Sequence, residues 1–184
     1  MNNFMRVKAL PGIRPMAAFA AIVLLLSSIY GCGYRPAATA GNRLDSSQNI
    51  WVAFIENTTI SSTAQTVMRR ALLEEAQIMR GIAPAASFES ADLRLSGVLK
   101  SYTLGTVSYT AADRARQYRL AIEAELELRG GADNKLIWKG ILRDVQEYPA
   151  NADLALQQDA ENAALVAASH KLARKFFITV EQSY

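Results

Sequence analysis

The sequence predicts an α+β domain. It is a two-layer sandwich in which a four-stranded mixed sheet carries two helices on one face, in the order β-α-β-β-β-α. Three observations predict it. Residues 118–128 alternate strictly enough to be a strand with one buried face. Residues 165–180 repeat apolar side chains at helical spacing. Between the first apolar run and that strand lies a second helical pattern, so the first strand connects through a helix and can lie parallel to the next.

Taken in order, Ile50-Trp51-Val52-Ala53-Phe54-Ile55 is a short β-branched and aromatic run, expected as a buried strand that Glu56-Asn57-Thr58-Thr59 ends. Ser61, Ser62 and Thr63 offer N-cap hydroxyls to a helix running to about Arg80. Ala64, Met68, Leu72, Ala76 and Met79 form its apolar stripe, and Gly81 is its expected stop. Residues 83–86 read as a connection. Residues 92–104 alternate weakly, with Leu93, Leu95 and Leu99 on one face. Residues 105–116 read as a loop. In the next strand Tyr118, Leu120, Ile122, Ala124, Leu126 and Leu128 point one way. Arg119, Glu123, Glu125, Glu127 and Arg129 point the other, interrupted by Ala121. Gly130-Gly131-Ala132-Asp133-Asn134 is a hairpin turn, and the return strand runs from Leu136 to about Glu147 with a mixed period. From Asp153 to about Gln182 the chain is helical; Leu165, Ala168, Leu172, Phe176 and Val180 make a stripe that Val166, Ala173 and Phe177 broaden.

Charge is unevenly placed. The 184 residues hold 20 Lys+Arg and 17 Asp+Glu, one Cys and one His. Arg6, Lys8 and Arg14 lie in the first 31 residues, which contain no acid, so 17 basic and 17 acidic residues remain in 32–184. A neutral domain weakens any nucleic-acid role, which needs basic residues gathered on one face. One Cys and one His exclude a disulfide framework and a structural zinc cluster.

The leader sets the compartment. Its basic start is followed by Met16-Ala-Ala-Phe-Ala-Ala-Ile-Val-Leu-Leu-Leu, a secretory signal pattern too short for a membrane span. Ile29-Tyr30-Gly31-Cys32 resembles the bacterial lipobox, with Tyr30 where a small residue is usual. The resemblance implies cleavage before Cys32 and acylation of that residue. Several acyl chains on one residue anchor firmly where one chain is marginal. Gly33, where lipoproteins kept at the inner membrane often carry Asp, implies the outer membrane. The expected organisation is a signal peptide over 1–31, a flexible tether over 32–48 and one α/β domain over 49–184.

Catalytic chemistry is sparse. His170 lies at the edge of the last helix's apolar stripe, without a facing carboxylate or thiol legible in the sequence, and reads as a packing residue. Glu123, Glu125 and Glu127 read as a solvated face rather than a cation site. No phosphate loop, dinucleotide fingerprint or nucleophile elbow is present, and no cofactor is expected. Arg114, Arg116 and Lys135 are candidates for phosphate recognition, against a plain reading as surface charge beside Asp113 and Asp133.

Several motifs in order carry a family resemblance. They are Cys32-Gly33-Tyr34-Arg35, Phe54-Ile55-Glu56-Asn57-Thr58-Thr59, Ala91-Asp92-Leu93-Arg94-Leu95-Ser96-Gly97 with Tyr102, and Gln117-Tyr118-Arg119-Leu120. The Trp138 strand, Glu147-Tyr148-Pro149, Ala163-Ala164-Leu165 and Lys171-Leu172-Ala173 complete the set. Together they resemble the lipopolysaccharide-assembly lipoproteins of the LptE family, over essentially all of 32–184. The resemblance implies a non-enzymatic outer-membrane lipoprotein on the periplasmic side, plugging the LptD β-barrel and helping insert lipopolysaccharide into the outer leaflet. It also implies lipopolysaccharide binding by basic residues. No motif aligns them, so Arg114, Arg116 and Lys135 are assigned that role from composition alone. The strand 52–54 followed by Glu56-Asn57 and a helix also suits a periplasmic adaptor that activates a peptidoglycan synthase or belongs to a secretion pore. Three consecutive strands after the helix favour the lipopolysaccharide reading.

Overall fold

The computed structural model describes residues 44–109, 115–131 and 133–183. The elements are β1 (Asn49–Val52), β2 (Glu56–Asn57), α1 (Ala64–Arg80), β3 (Ala83–Pro84), β4 (Leu93–Tyr109), β5 (Ala115–Gly130), β6 (Leu136–Pro149) and α2 (Leu154–Gln182). The sheet has six strands rather than the expected four, in the order β3-β1-β4-β5-β6 with β2 paired to β4. The two additions are two-residue strands that no periodicity could announce. β1 is parallel to both β3 and β4, as the helical crossover requires, and β4, β5 and β6 form an antiparallel meander.

The first apolar run is not one strand. Val52 pairs with Leu95 and Glu56 with Val98, so four steps along the first segment match three along β4. The extra residue shifts the side-chain phase by one. Ile55 is therefore buried and Phe54 is thrown to the surface, 72% exposed. Asn57 then shapes the turn into α1. Its Oδ1 accepts from the Thr59 N–H (2.9 Å), and its Nδ2 donates to the Ser61 carbonyl (2.6 Å) and Gln65 Oε1 (2.7 Å). These bonds stand where a hydroxyl cap was expected: Thr63 is the N-cap residue but its side chain makes no capping bond. Gly81 stops α1 as expected. It sits at φ 67°, and the N–H groups of Gly81 and Ile82 close onto the Gln77 and Ala76 carbonyls.

The segment expected as a loop, 105–116, is mostly ladder. Thr106 faces Tyr118 and Tyr109 faces Ala115. This end of the hairpin is largely exposed on both faces, so neither face demands apolar residues and the sequence alternation fades. At the opposite end, the Gly131 N–H donates to the Asp92 carbonyl (2.8 Å). A Cβ at Gly131 would lie 1.7 Å from the Ala91 carbonyl oxygen, so only glycine fits.

The core lies between the sheet and the two helices. Leu120, Ile122, Ala124, Leu126 and Leu128 of β5 supply its sheet side, with Leu93, Leu95 and Leu99 of β4. Met68, Leu72 and Ala76 of α1 and Leu165, Ala168, Leu172, Phe176 and Val180 of α2 supply the other. Trp138 of β6 packs edge-on against Phe176, ring centroids 5.3 Å apart. Val166, expected to widen the α2 stripe, is exposed instead, while Ala173 and Phe177 are buried. Asp153 caps α2, its Oδ1 accepting from the N–H groups of Ala155 and Leu156. The expected tether also ends early, because Leu44 is fully packed into the core.

Candidate functional site

No described element packs on the sheet face opposite the helices, and this face is the most distinctive surface of the fold. Period-two alternation puts Arg119, Glu123, Glu125, Glu127 and Arg129 of β5 on it, flanked by alternate residues of β4 and β6. The charges interlock. Lys100 Nζ lies 3.3 Å from Glu125 Oε2, and Lys139 Nζ bridges Glu125 (3.4 Å) and Glu127 (3.1 Å). Arg129 Nε is 2.5 Å from Glu127 Oε1, and Arg119 Nη2 is 2.6 Å from Glu147 Oε1. Hydrogen bonds from Lys100 and then Lys139 hold the Glu125 carboxyl below its ordinary value. Those from Arg129 and Lys139 do the same for Glu127. Glu125 and Glu127 are thus each engaged by two cations, and no metal-ligating group of three or more His, Cys, Asp or Glu occurs among the described residues.

Apolar side chains interrupt the charge. Phe54, Ile141 and Val145 are exposed, and this explains the mixed period of β6. A depression of about 300 Å³ lies between Phe54, Ser96, Val98, Glu125, Glu127 and Lys139. A second, of about 350 Å³, is lined by Thr103, Gly105, Thr106, Arg119, Ala121 and Arg143. Ala121, which breaks the alternation in the sequence, contributes to this second hollow between the two arginines.

The candidate residues fall as follows. Arg116 is exposed near the start of β5, and Lys135 is exposed in the turn after its end. β5 is 16 residues long, which at about 3.3 Å per residue separates its ends by roughly 50 Å, so these two cations do not share one pocket. Arg114 and Cys32 lie outside the described residues. His170 is not the isolated packing residue expected. Its Nδ1 is 3.1 Å from Glu75 Oε1 and its Nε2 is 3.2 Å from Glu74 Oε2, across the α1–α2 contact. Arg174 Nη2 also reaches Glu75 Oε1 at 3.1 Å. Burial pushes the Glu75 carboxyl up, but the bonds from Arg174 and His170 outweigh it and hold the group below its ordinary value. This constellation ties the helices together on the far side of the sheet from the candidate face.

Sequence reasoning found the glutamates and arginines of β5 but not their partners Lys100 and Lys139. Register counted straight outward from the 130–134 turn would set Trp138 opposite Glu127; an irregularity between Leu128 and Arg129 moves Lys139 there instead, so the pairing was hidden by a bulge. Phe54 could not be found, since its exposure depends on the extra residue in the first segment.

Comparison with solved structures places the fold. A protein from Caulobacter crescentus superposes with a TM-score of 0.52 at 14% identity, covering 72% of this chain and 88% of that one. A PelC dodecamer from Paraburkholderia phytofirmans gives 0.50 at 13% identity, covering 75% and 92%. Identities this low establish a shared fold and nothing finer. No curated protein matches the chain. The sequence pattern of the family described as LptE, lipopolysaccharide-assembly, matches residues 47–180, which takes in every element from β1 through nearly all of α2. The chain belongs to this non-enzymatic LptE lipopolysaccharide-assembly family.

Proposed function

We propose that this chain is an outer-membrane lipoprotein, acylated at Cys32 after loss of residues 1–31 and held by a tether. On this reading it sits inside an LptD-type β-barrel as plug and assembly partner and helps insert lipopolysaccharide into the outer leaflet. Family membership is the first support. The observation that carries the reading is the sheet face itself. It is long, laced by ion pairs and free of any described cover. Such a face suits the polar wall of a large barrel's lumen rather than a lipid or an apolar partner. Arg114, Arg116 and Lys135 are retained as lipopolysaccharide contacts, with Arg116 and Lys135 acting separately at opposite ends of β5.

The test is purification of the tagged full-length chain from detergent-solubilised outer membranes, with mass spectrometry of the proteins and lipids that accompany it. A stoichiometric barrel of LptD type is expected, with lipopolysaccharide that is depleted when Arg114, Arg116 and Lys135 are replaced by Asp. A peptidoglycan synthase or secretion subunit in place of the barrel would overturn the reading. Undiminished lipopolysaccharide would overturn the residue assignment alone.

A further inference from the structure

β6 closes one edge of the sheet, and the two halves of that edge differ. In an antiparallel ladder, alternate residues turn both backbone groups away from the neighbouring strand. On β6 these are the odd-numbered residues, and at three of them one of the two outward groups is stoppered by a side chain. The Arg143 carbonyl accepts from Lys175 Nζ (3.1 Å), the Val145 N–H donates to Asp144 Oδ1 (2.9 Å), and the Glu147 carbonyl accepts from Gln146 Nε2 (2.8 Å). Lys139 and Ile141 share the same phase, and no group among the described residues bonds their outward N–H and C=O. The Ile141 side chain is 61% exposed beside them.

The surroundings are basic. Lys171 and Lys175 stand one turn apart on α2 and reach to the β6 edge, Lys171 Nζ donating to Gln146 Oε1 at 2.7 Å. Neither lysine, nor Arg143, makes an ion pair among the described residues. Asp144 is committed to its own strand and Glu147 to Arg119.

We infer that β6 accepts an added strand over Lys139–Arg143, and that the occupant is an extended acidic segment of another protein chain. Main-chain bonds to Lys139 and Ile141 would hold it, as in other cases where a peptide extends a sheet. Lys171, Lys175 and Arg143 would select acidic side chains, and Ile141 would take an apolar one. The side-chain stoppers from Arg143 onward set where the added strand must end. This inference does not depend on the barrel reading.

The probe is a short end-capped peptide of alternating valine and glutamate, titrated into the ¹⁵N-labelled full-length chain in detergent, with a valine–lysine peptide as its counterpart. Hydrogen exchange of the Lys139 and Ile141 amides is expected to slow about tenfold at saturation, as newly bonded amides do. Ile141→Pro removes the outward N–H together with the isoleucine side chain, a change that an edge strand tolerates, and is expected to abolish the protection of the Lys139 amide. The Lys171→Glu/Lys175→Glu pair is expected to weaken binding of the acidic peptide at least about fivefold while leaving the fold intact. Unslowed amides, equal binding of the lysine peptide, or binding that survives Ile141→Pro would each overturn the inference.

Discussion

Glu75 shows how one side chain can bind two helices. It is 2% exposed, and His170 and Arg174 supply the donors that compensate its lost water. Its folded-state pKa is depressed, so its contribution is present above the unfolded carboxylate value and is lost as pH falls through the folded one. Glu75→Gln is therefore expected to destabilise the domain by about 1–3 kcal/mol at neutral pH. The gap should close as the pH drops below about 4.3, the ordinary glutamate value. Urea denaturation of both proteins across a pH series measures it; a gap independent of pH would show that shape rather than charge holds the pair. None of this was legible beforehand, because Glu75 and His170 stand 95 positions apart and meet only through helix packing. Gly131 is a similar case. Its place in a turn is visible in the sequence, but the carbonyl that forbids any larger residue is that of Ala91, two residues before β4.

At the scale of the element, periodicity served wherever one face was buried and the other wet. The inward residues of β5 and the α2 stripe are where the alternation put them. Phe176 is the clearest energetic test of that stripe. It touches Trp138 and Phe177 edge-on and is fully buried, so Phe176→Ala is expected to cost about 3–5 kcal/mol in urea or thermal unfolding. A loss under about 1 kcal/mol would mean that α2 is not packed as described. Periodicity failed in two places for different reasons. The inserted residue between Val52 and Glu56 changes phase without leaving a compositional mark. The far end of the β4–β5 hairpin has no buried face, so its strands looked like loop. Lys100, Lys139 and the glutamates they pair with could be guessed as charges, but their bridging required the register of three strands.

For the molecule as a whole, cover is unequal along the sheet. Residues 93–99 and 122–128 lie over the helices, whereas 103–109 and 115–119 project beyond most of that cover. Local opening follows buried contact, so amide exchange is expected to be at least about tenfold faster in the projecting hairpin than in the covered half. Uniform protection along both strands would contradict this. The family, the fold class and the helix–sheet order were readable from the sequence; the two minor strands and the full reach of the hairpin were not. The edges of the sheet have a further consequence. One ends in the two-residue β3, which carries Pro84 and so lacks a donor there. The other is stoppered from Arg143 onward. At these two margins the sheet is a poor template for its own copies, so the same side chains that confine a partner to a short window also limit edge-to-edge pairing there.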